Sequence, residues 1–179
     1  MSQIFVVVEK IRRLFRREDG GALAELAIMV PFLALMLAGV CEFGRFFQNY
    51  NTLAKATRTA SRYLSNHQLN ATEENRATSL VVCGKLACAA GDQPLVTGLT
   101  SSNVCLETTG SPKVKSVTVR IPRAAGDCGS DASSPAVGGS GSATPYVYQP
   151  IFDIGALLGN TLSLTLPIAP RTTMYYMID

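Results

Sequence analysis

The sequence predicts an α+β fold, in which a long N-terminal transmembrane and spine helix is followed by a small antiparallel, disulfide-bonded β-sheet domain. Three observations lead to this prediction. An uncharged apolar run lies near the N-terminus, several short segments of alternating apolar and polar residues lie beyond it, and four cysteines lie in the same C-terminal part.

The composition favours a membrane protein over a soluble domain or a nucleic-acid-binding protein. Hydrophobic residues make up 47% of the 179 residues and charged residues only 16%, whereas roughly 25% charged residues is typical of soluble domains. The formal net charge of +3 is too small to indicate binding to nucleic acid. Residues 1–20 hold five basic and three acidic side chains, so the excess positive charge belongs mainly to this leader.

The apolar run Leu26–Cys41 contains no charged residue. With its apolar flanks it exceeds the length of about 20 residues that crosses a bilayer, and it lacks the polar stripe of a soluble helix. The basic leader predicts a cytoplasmic N-terminus and an extracytoplasmic C-terminal domain. Pro31 should kink the membrane helix. A cleaved secretory signal is the alternative, but the run is too long and no A-x-A-like site follows it.

The junction before the apolar run carries a second signal. Arg16–Gly20 is polar and ends in glycine, and Glu25 lies shortly after Gly21 within the apolar segment. A carboxylate costs about 2.5–3.5 kcal/mol at the centre of a membrane helix and less near the interface, so such a residue is usually paired. The alternative is that Glu25 lies at the depth of the lipid headgroups and reaches water.

This junction resembles the class III signal of type IV prepilins, in which a prepilin peptidase cuts after a glycine that precedes the hydrophobic helix. The resemblance implies a cut after Gly20, which makes Gly21 the N-terminus and Glu25 the fifth residue. A cut after Gly21 would make Glu25 the fourth. The resemblance also implies that Glu25 is an assembly carboxylate, which pairs with the freed α-amine of a neighbouring subunit.

The run from Gly20 to Phe47, with the helix that follows it, is similar to the TadE-like family. These proteins are minor pilins or pseudopilins of Tad (Flp, type IVc) pilus systems. The similarity is carried by Glu25, Pro31, Gly39, Glu42, Gly44, Arg45 and residues 58–62. Leu26 departs from the pattern, which more often has Phe or Tyr there. The motif covers about a quarter of the chain.

The resemblance implies a pilin-like fold and a single-pass protein of the bacterial inner membrane with a periplasmic C-terminal domain. Three final positions stay open: in the pilus filament, at its tip or in the inner-membrane platform. The implied partners are other pilins and minor pilins, the Tad inner-membrane assembly platform and the prepilin peptidase. Two other functions stay open. The chain could be an unprocessed membrane-anchored accessory protein, or an anchored adhesin whose outer domain binds a surface ligand.

We predict three regions: a cytoplasmic leader (1–20), a transmembrane and spine helix (21–64) and an extracytoplasmic α+β domain (65–179). The helix would be about 66 Å long, and a break near Gly44 is the alternative. Its exit carries an apolar stripe at helical spacing, which predicts a packing surface. The stripe consists of Phe43, Phe47, Tyr50, Ala54, Thr57, Ser61 and Leu64.

Within the outer domain, residues 73–86 are predicted to form a helix capped by Thr72. Alternating apolar and β-branched residues predict strands. The predicted strands are 116–121, 146–152, 161–166 and 172–178. Residues 126–144 are rich in Gly and Ser and predict a flexible loop between strands.

The outer domain contains Cys83, Cys88, Cys105 and Cys128, whereas Cys41 lies alone in the apolar run. An even number of cysteines outside the cytoplasm predicts two disulfides, which can be paired in three ways. The short spacing favours Cys83 with Cys88, which leaves Cys105 with Cys128. A zinc site is the competing interpretation, but the spacing lacks a second clustered pair. Cys41 is expected to be a small packing residue.

No motif for catalysis or cofactor binding is present in the sequence. There is no phosphate-binding loop, dinucleotide fingerprint, nucleophile elbow or zinc-protease motif. The single histidine, His67, lies in a polar segment and is expected to be solvated. We therefore expect a protein that is not an enzyme and that binds no cofactor or catalytic metal.

Overall fold

The computed structural model describes residues 18–110, 113–128, 143–151 and 165–178. These residues fall into two compact units, on either side of the junction between Phe43 and Gly44. The first unit is helical. The second contains the end of the same helix, a second helix and a three-stranded sheet, so the predicted α+β fold class is confirmed.

Helix α1 runs from Glu18 to Ser65 and covers the whole of the predicted helix. It continues through Gly44, so the alternative of a break at that residue is wrong. Pro31 lies within it, and the kink expected there stays a prediction. From Gly21 onward the helix is long and apolar enough to cross a membrane.

Helix α2, Ala71–Cys83, begins and ends at residues suited to those positions. The side chain of Asn70 accepts a hydrogen bond from the backbone N–H of Glu73 at 2.9 Å, so Asn70 is the N-cap instead of the predicted Thr72. At the other end, Gly84 adopts a left-handed conformation with φ of 72°. This conformation ends the helix three residues before the predicted end.

The sheet consists of three antiparallel strands in the order β1-β2-β3. They are β1, Cys105–Thr109; β2, Ser116–Arg120; and β3, Arg171–Tyr175. Leu106 pairs with Val119 across β1 and β2, and Val117 pairs with Met174 across β2 and β3. The central strand β2 therefore brings Val117 and Val119 into the core, where both are buried.

Two of the four predicted strands are confirmed, as β2 and β3. Strand β1 was not predicted. Of the segment predicted at 146–152, the described residues 146–151 form only an isolated antiparallel bridge, from Val147 to Pro167. Of the strand predicted at 161–166, residues 161–164 lie outside the described residues, as do residues 129–142 of the predicted loop.

The core of the second unit forms between one face of α1, helix α2 and the sheet. On α1 this face centres on Leu53, Ala60 and Leu64, each at most 1% exposed. The polar residues Thr57 and Ser61 are also buried here, because their hydroxyl groups reach strand β3. Thr57 Oγ1 lies 3.3 Å from Thr172 Oγ1, and Ser61 Oγ donates to the carbonyl of Thr172 at 3.1 Å.

Candidate assembly helix

The N-terminal half of α1 presents apolar side chains around its whole circumference. Every residue from 21 to 37 is exposed. The consecutive residues Ile28, Met29 and Val30 are 73%, 59% and 53% exposed, and in a helix of 3.6 residues per turn they point in directions about 100° apart. An apolar surface of this extent indicates contact with lipid or with other protein helices.

The residues predicted to govern processing and assembly lie at the start of this surface. Gly20 and Gly21 are in the first turn of α1, and a Cβ atom built at Gly21 would meet nothing within 4 Å. Glu25 is exposed one turn further on. It is the one charged residue between Gly21 and Cys41, so its carboxylate is isolated within the apolar stretch.

The predicted apolar stripe on α1 divides into an exposed part and a buried part. Phe43, Phe47 and Tyr50 are 70%, 55% and 41% exposed, so this part of the packing surface is open in the single chain, and its role in packing stays a prediction. Phe46 packs instead, with its ring edge-on to Tyr148 at a centroid distance of 5.5 Å. The stripe joins the buried face of α1 only further along the helix.

The cysteines pair as the spacing favoured. Cys83 is bonded to Cys88 and Cys105 to Cys128. Glu107 lies close enough to the second pair to complete a group of metal-binding type, but the two sulfur atoms are bonded to each other and offer no thiolates. The prediction of two disulfides is therefore confirmed. Cys41 is free and exposed, so within this chain it is not the packing residue that we expected.

A buried ionic network next to the second disulfide was not predicted. Glu107 is 1% exposed and binds Arg120, which also binds the carboxylate of Asp127 at 3.2 Å and its carbonyl. Burial by itself lowers the pKa of Arg120, but hydrogen bonds and ionic contacts with Glu107 and Asp127 outweigh this effect and raise the pKa. Arg120 pairs with Cys105 across the two strands and lies diagonal to Glu107 on the same face. The sequence shows both charged residues, but only the strand register brings them together.

A second polar cluster joins the end of α1 to α2. The ring of His67 stacks on Tyr63 at a centroid distance of 4.0 Å, and the Tyr63 hydroxyl donates to Glu73. This hydrogen bond, together with burial, raises the pKa of Tyr63. Glu73 also pairs with Arg76 at 2.9 Å. His67 is half-buried, so the expectation of a fully solvated histidine is wrong. The cluster fixes the turn between the helices.

The apolar helix, its single carboxylate and the glycine junction can now be compared with known proteins. Residues 20–62 match the family model of TadE-like proteins. The resemblance predicted from the motif is therefore confirmed over this segment of α1. A comparison with curated proteins and with solved structures finds no match. The match covers about a quarter of the chain, so the likeness to TadE-like proteins is shown for this segment of α1 alone.

Proposed function

We propose that this protein is a minor pilin or pseudopilin that takes part in assembly of a Tad (Flp, type IVc) pilus. The observation that carries the proposal is the segment 21–41 of α1, which is apolar and largely exposed and contains Glu25 as its single charge. The match to TadE-like proteins over residues 20–62 supports the same function.

The first step is insertion into the bacterial inner membrane. The five basic residues of the leader hold the N-terminus in the cytoplasm, and the C-terminal domain enters the periplasm. The two disulfides support this orientation, because structural disulfides form and persist in oxidising compartments.

Processing by a prepilin peptidase is the second step. A cut after Gly20 removes the basic leader and leaves Gly21 with a free α-amine, which carries a positive charge at neutral pH. Glu25 of one subunit then pairs with the α-amine of its neighbour. Each unpaired charge is costly in an apolar environment, and the pairing removes both costs together.

Assembly transfers α1 from lipid to a bundle of pilin helices above the inner-membrane platform. Lipid tails are as apolar as the helix, so the transfer gains little from the hydrophobic effect itself. Helix packing and polar interactions between helices must supply the specificity. On this account the carboxylate of Glu25 selects and orients the neighbouring subunit, and the surrounding apolar residues provide contact area.

Replacement of Glu25 tests the proposed assembly. A Glu25→Gln variant keeps the size of the side chain and removes its charge, whereas Glu25→Asp keeps the charge. We expect the Gln variant to insert normally but to lower the number of surface pili at least about tenfold, because an unpaired α-amine stays costly in the apolar environment. The Asp variant should retain most pili.

The measurement combines membrane fractionation with a count of pili per cell. An unchanged count in Glu25→Gln would remove the assigned role of Glu25. That result would favour an unprocessed accessory protein, for which the carboxylate has no partner to select. Insertion and assembly are separate steps in this proposal, so loss of the Gln variant from the membrane would also contradict it.

A further inference from the structure

A cavity in the second unit has the features of an anion-binding site. It measures about 260 Å³ and lies between the end of β2, the start of β3 and the turn that follows β2. Three arginines and one aspartate provide its charged side chains. The lining residues are Arg120, Ile121, Arg123, Asp127, Ala169 and Arg171.

The three arginines differ in how their charge is balanced. Arg120 is fixed by the carboxylates of Glu107 and Asp127. Within the described part of the chain, the side chains of Arg123 and Arg171 make no hydrogen bond or ion pair, and both residues are exposed. The three arginines and the two carboxylates bound to Arg120 together carry a net charge of +1, and the positive charges without a partner are those of Arg123 and Arg171 at the rim.

Hydrogen bonds hold the backbone and the Arg120 side chain that line this cavity in place. Arg120 donates four hydrogen bonds, two to Glu107 Oε1 and two to Asp127. The backbone N–H of Arg123 donates to Asp127 Oδ2 at 3.2 Å, which closes the turn on which Arg123 lies. The backbone of Arg171 is held in strand β3, where this residue pairs with Arg120 of β2.

We propose that this cavity binds the phosphate group of a small ligand. A guanidinium group donates two parallel hydrogen bonds to an oxyanion, which makes arginine suited to phosphate recognition. The net positive charge of the cluster is opposite in sign to the charge of nearly −2 that a phosphate monoester carries at neutral pH, and the guanidinium groups of Arg123 and Arg171 are free to bind it. Donors on separate strands and on a turn suit the several oxygens of a tetrahedral phosphate better than a planar carboxylate.

The volume limits the kind of ligand. Cavities for drug-sized ligands measure about 300–1,000 Å³, so a cavity of about 260 Å³ accepts a phosphate with a small attached group. Free inorganic phosphate and the phosphate of a glycerophosphate headgroup share this chemistry. The site is independent of pilus assembly, because it lies in the second unit and uses no residue of the assembly helix.

Calorimetric titration of the full-length protein in detergent tests the site. Inorganic phosphate is added in one series and glycerol 1-phosphate in another, at constant ionic strength. Because Arg123 and Arg171 supply the uncompensated charge, the Arg123→Gln/Arg171→Gln variant should raise the dissociation constant for phosphate at least tenfold. The matched control is Arg58→Gln/Arg62→Gln, which removes two exposed arginines from α1 and should leave the dissociation constant unchanged.

Three results would overturn the proposal: no binding of either probe, unchanged binding in the Arg123/Arg171 variant, or equal weakening in the control pair. A further variant, Arg123→Lys/Arg171→Lys, tests how much of the binding depends on charge alone. It keeps both positive charges but loses the paired hydrogen-bond donors of the guanidinium groups. It should bind phosphate more tightly than the Gln variant. Tighter binding of glycerol 1-phosphate than of inorganic phosphate would identify a headgroup as the source.

Discussion

The guanidinium of Arg120 donates two hydrogen bonds to one carboxylate oxygen of Glu107, from Nε at 3.0 Å and from Nη2 at 2.6 Å. The pair joins the neighbouring strands β1 and β2, and Glu107 is 1% exposed. A buried carboxylate without its cation is costly, because burial removes the water that would solvate the charge. The pair therefore fixes which residues of β1 face which residues of β2.

Removing one partner of this pair should strongly destabilise the second unit, which contains the sheet. We expect Arg120→Leu to lower the free energy of unfolding by about 3–5 kcal/mol, because it leaves the charge of Glu107 buried. The measurement is urea-induced unfolding in detergent. Arg58→Leu, at an exposed position on α1, should change the free energy by less than about 0.5 kcal/mol.

The double variant Glu107→Leu/Arg120→Leu distinguishes the ionic effect from a general loss of packing. It should be less destabilised than Arg120→Leu alone, because neither charge is then left without the other. Equal or greater destabilisation of the double variant would contradict this account of the pair.

The two disulfides should contribute unequally to stability. In the loop-entropy model the stabilisation grows with the number of residues enclosed. The sequence separations are 23 for Cys105–Cys128 and 5 for Cys83–Cys88. We expect replacement of the first pair by serine to cost about 3 kcal/mol and replacement of the second about 2 kcal/mol. Unfolding of both variants under oxidising conditions checks this order, and the reverse order would contradict it.

The end of α2 depends on a glycine. At Gly84 the backbone has a φ of 72°, and an added Cβ would lie 3.2 Å from Leu95 Cδ2. Gly84→Ala should therefore destabilise the protein by about 1 kcal/mol or more. Gly44→Ala provides a control of opposite sign, because Gly44 is helical and has open space around it. Thermal unfolding compares the two, and a Gly84→Ala variant as stable as Gly44→Ala would contradict the assignment.

Glu74 should make stability depend on pH. Burial raises its pKa above the ordinary value of 4.5, so the folded state binds this proton more tightly than the unfolded state. The stabilisation is present below pH 4.5 and is lost as the pH rises through the raised pKa. Glu74→Gln should therefore be more stable relative to the original chain at pH 7 than at pH 4, as measured by unfolding at both values.

Asp92 provides a comparison of opposite sign. Its hydrogen bonds, first with Lys85 and then with the backbone of Ala89, lower its pKa from 3.8. Its contribution is therefore present above pH 3.8 and is lost as the pH falls through the lowered pKa. If Glu74→Gln and Asp92→Asn showed the same dependence on pH, the assignment of these two shifts would be wrong.

The sequence predicted the elements that are determined by local pattern. The uncharged apolar run led to α1, and the short spacing of Cys83 and Cys88 led to the disulfide pairing. Strand β2 alternates apolar and polar residues, which predicts a strand directly. Each of these signals lies within one short stretch of chain and does not depend on a distant partner.

The elements that were missed depend on such partners. Strand β1 places Glu107 in the interior, which its sequence disfavours, and only Arg120 on the next strand compensates for it. In the segment predicted as a strand at 146–152, the described residues 146–151 form a single bridge at Val147. Pro150 disfavours a longer strand, because it has no N–H to donate.

The residues and extent of the candidate assembly helix were predicted more completely than the elements of the second unit. Its signal is carried by consecutive residues from Gly20 onward, and the TadE-like match covers the same stretch. The candidate phosphate site could not be predicted in this way, since Arg123 and Arg171 are far apart in sequence and are brought together by the pairing of β2 with β3.

The central claim is that α1 becomes an assembly surface after the leader is removed, and the N-terminus of the protein in membranes tests this most directly. N-terminal sequencing and intact-mass measurement should be made in cells with and without the prepilin peptidase. The account predicts a start at Gly21 when the peptidase is present and retention of residues 1–20 when it is absent. A chain that starts at Met1 in cells with an active peptidase would contradict it.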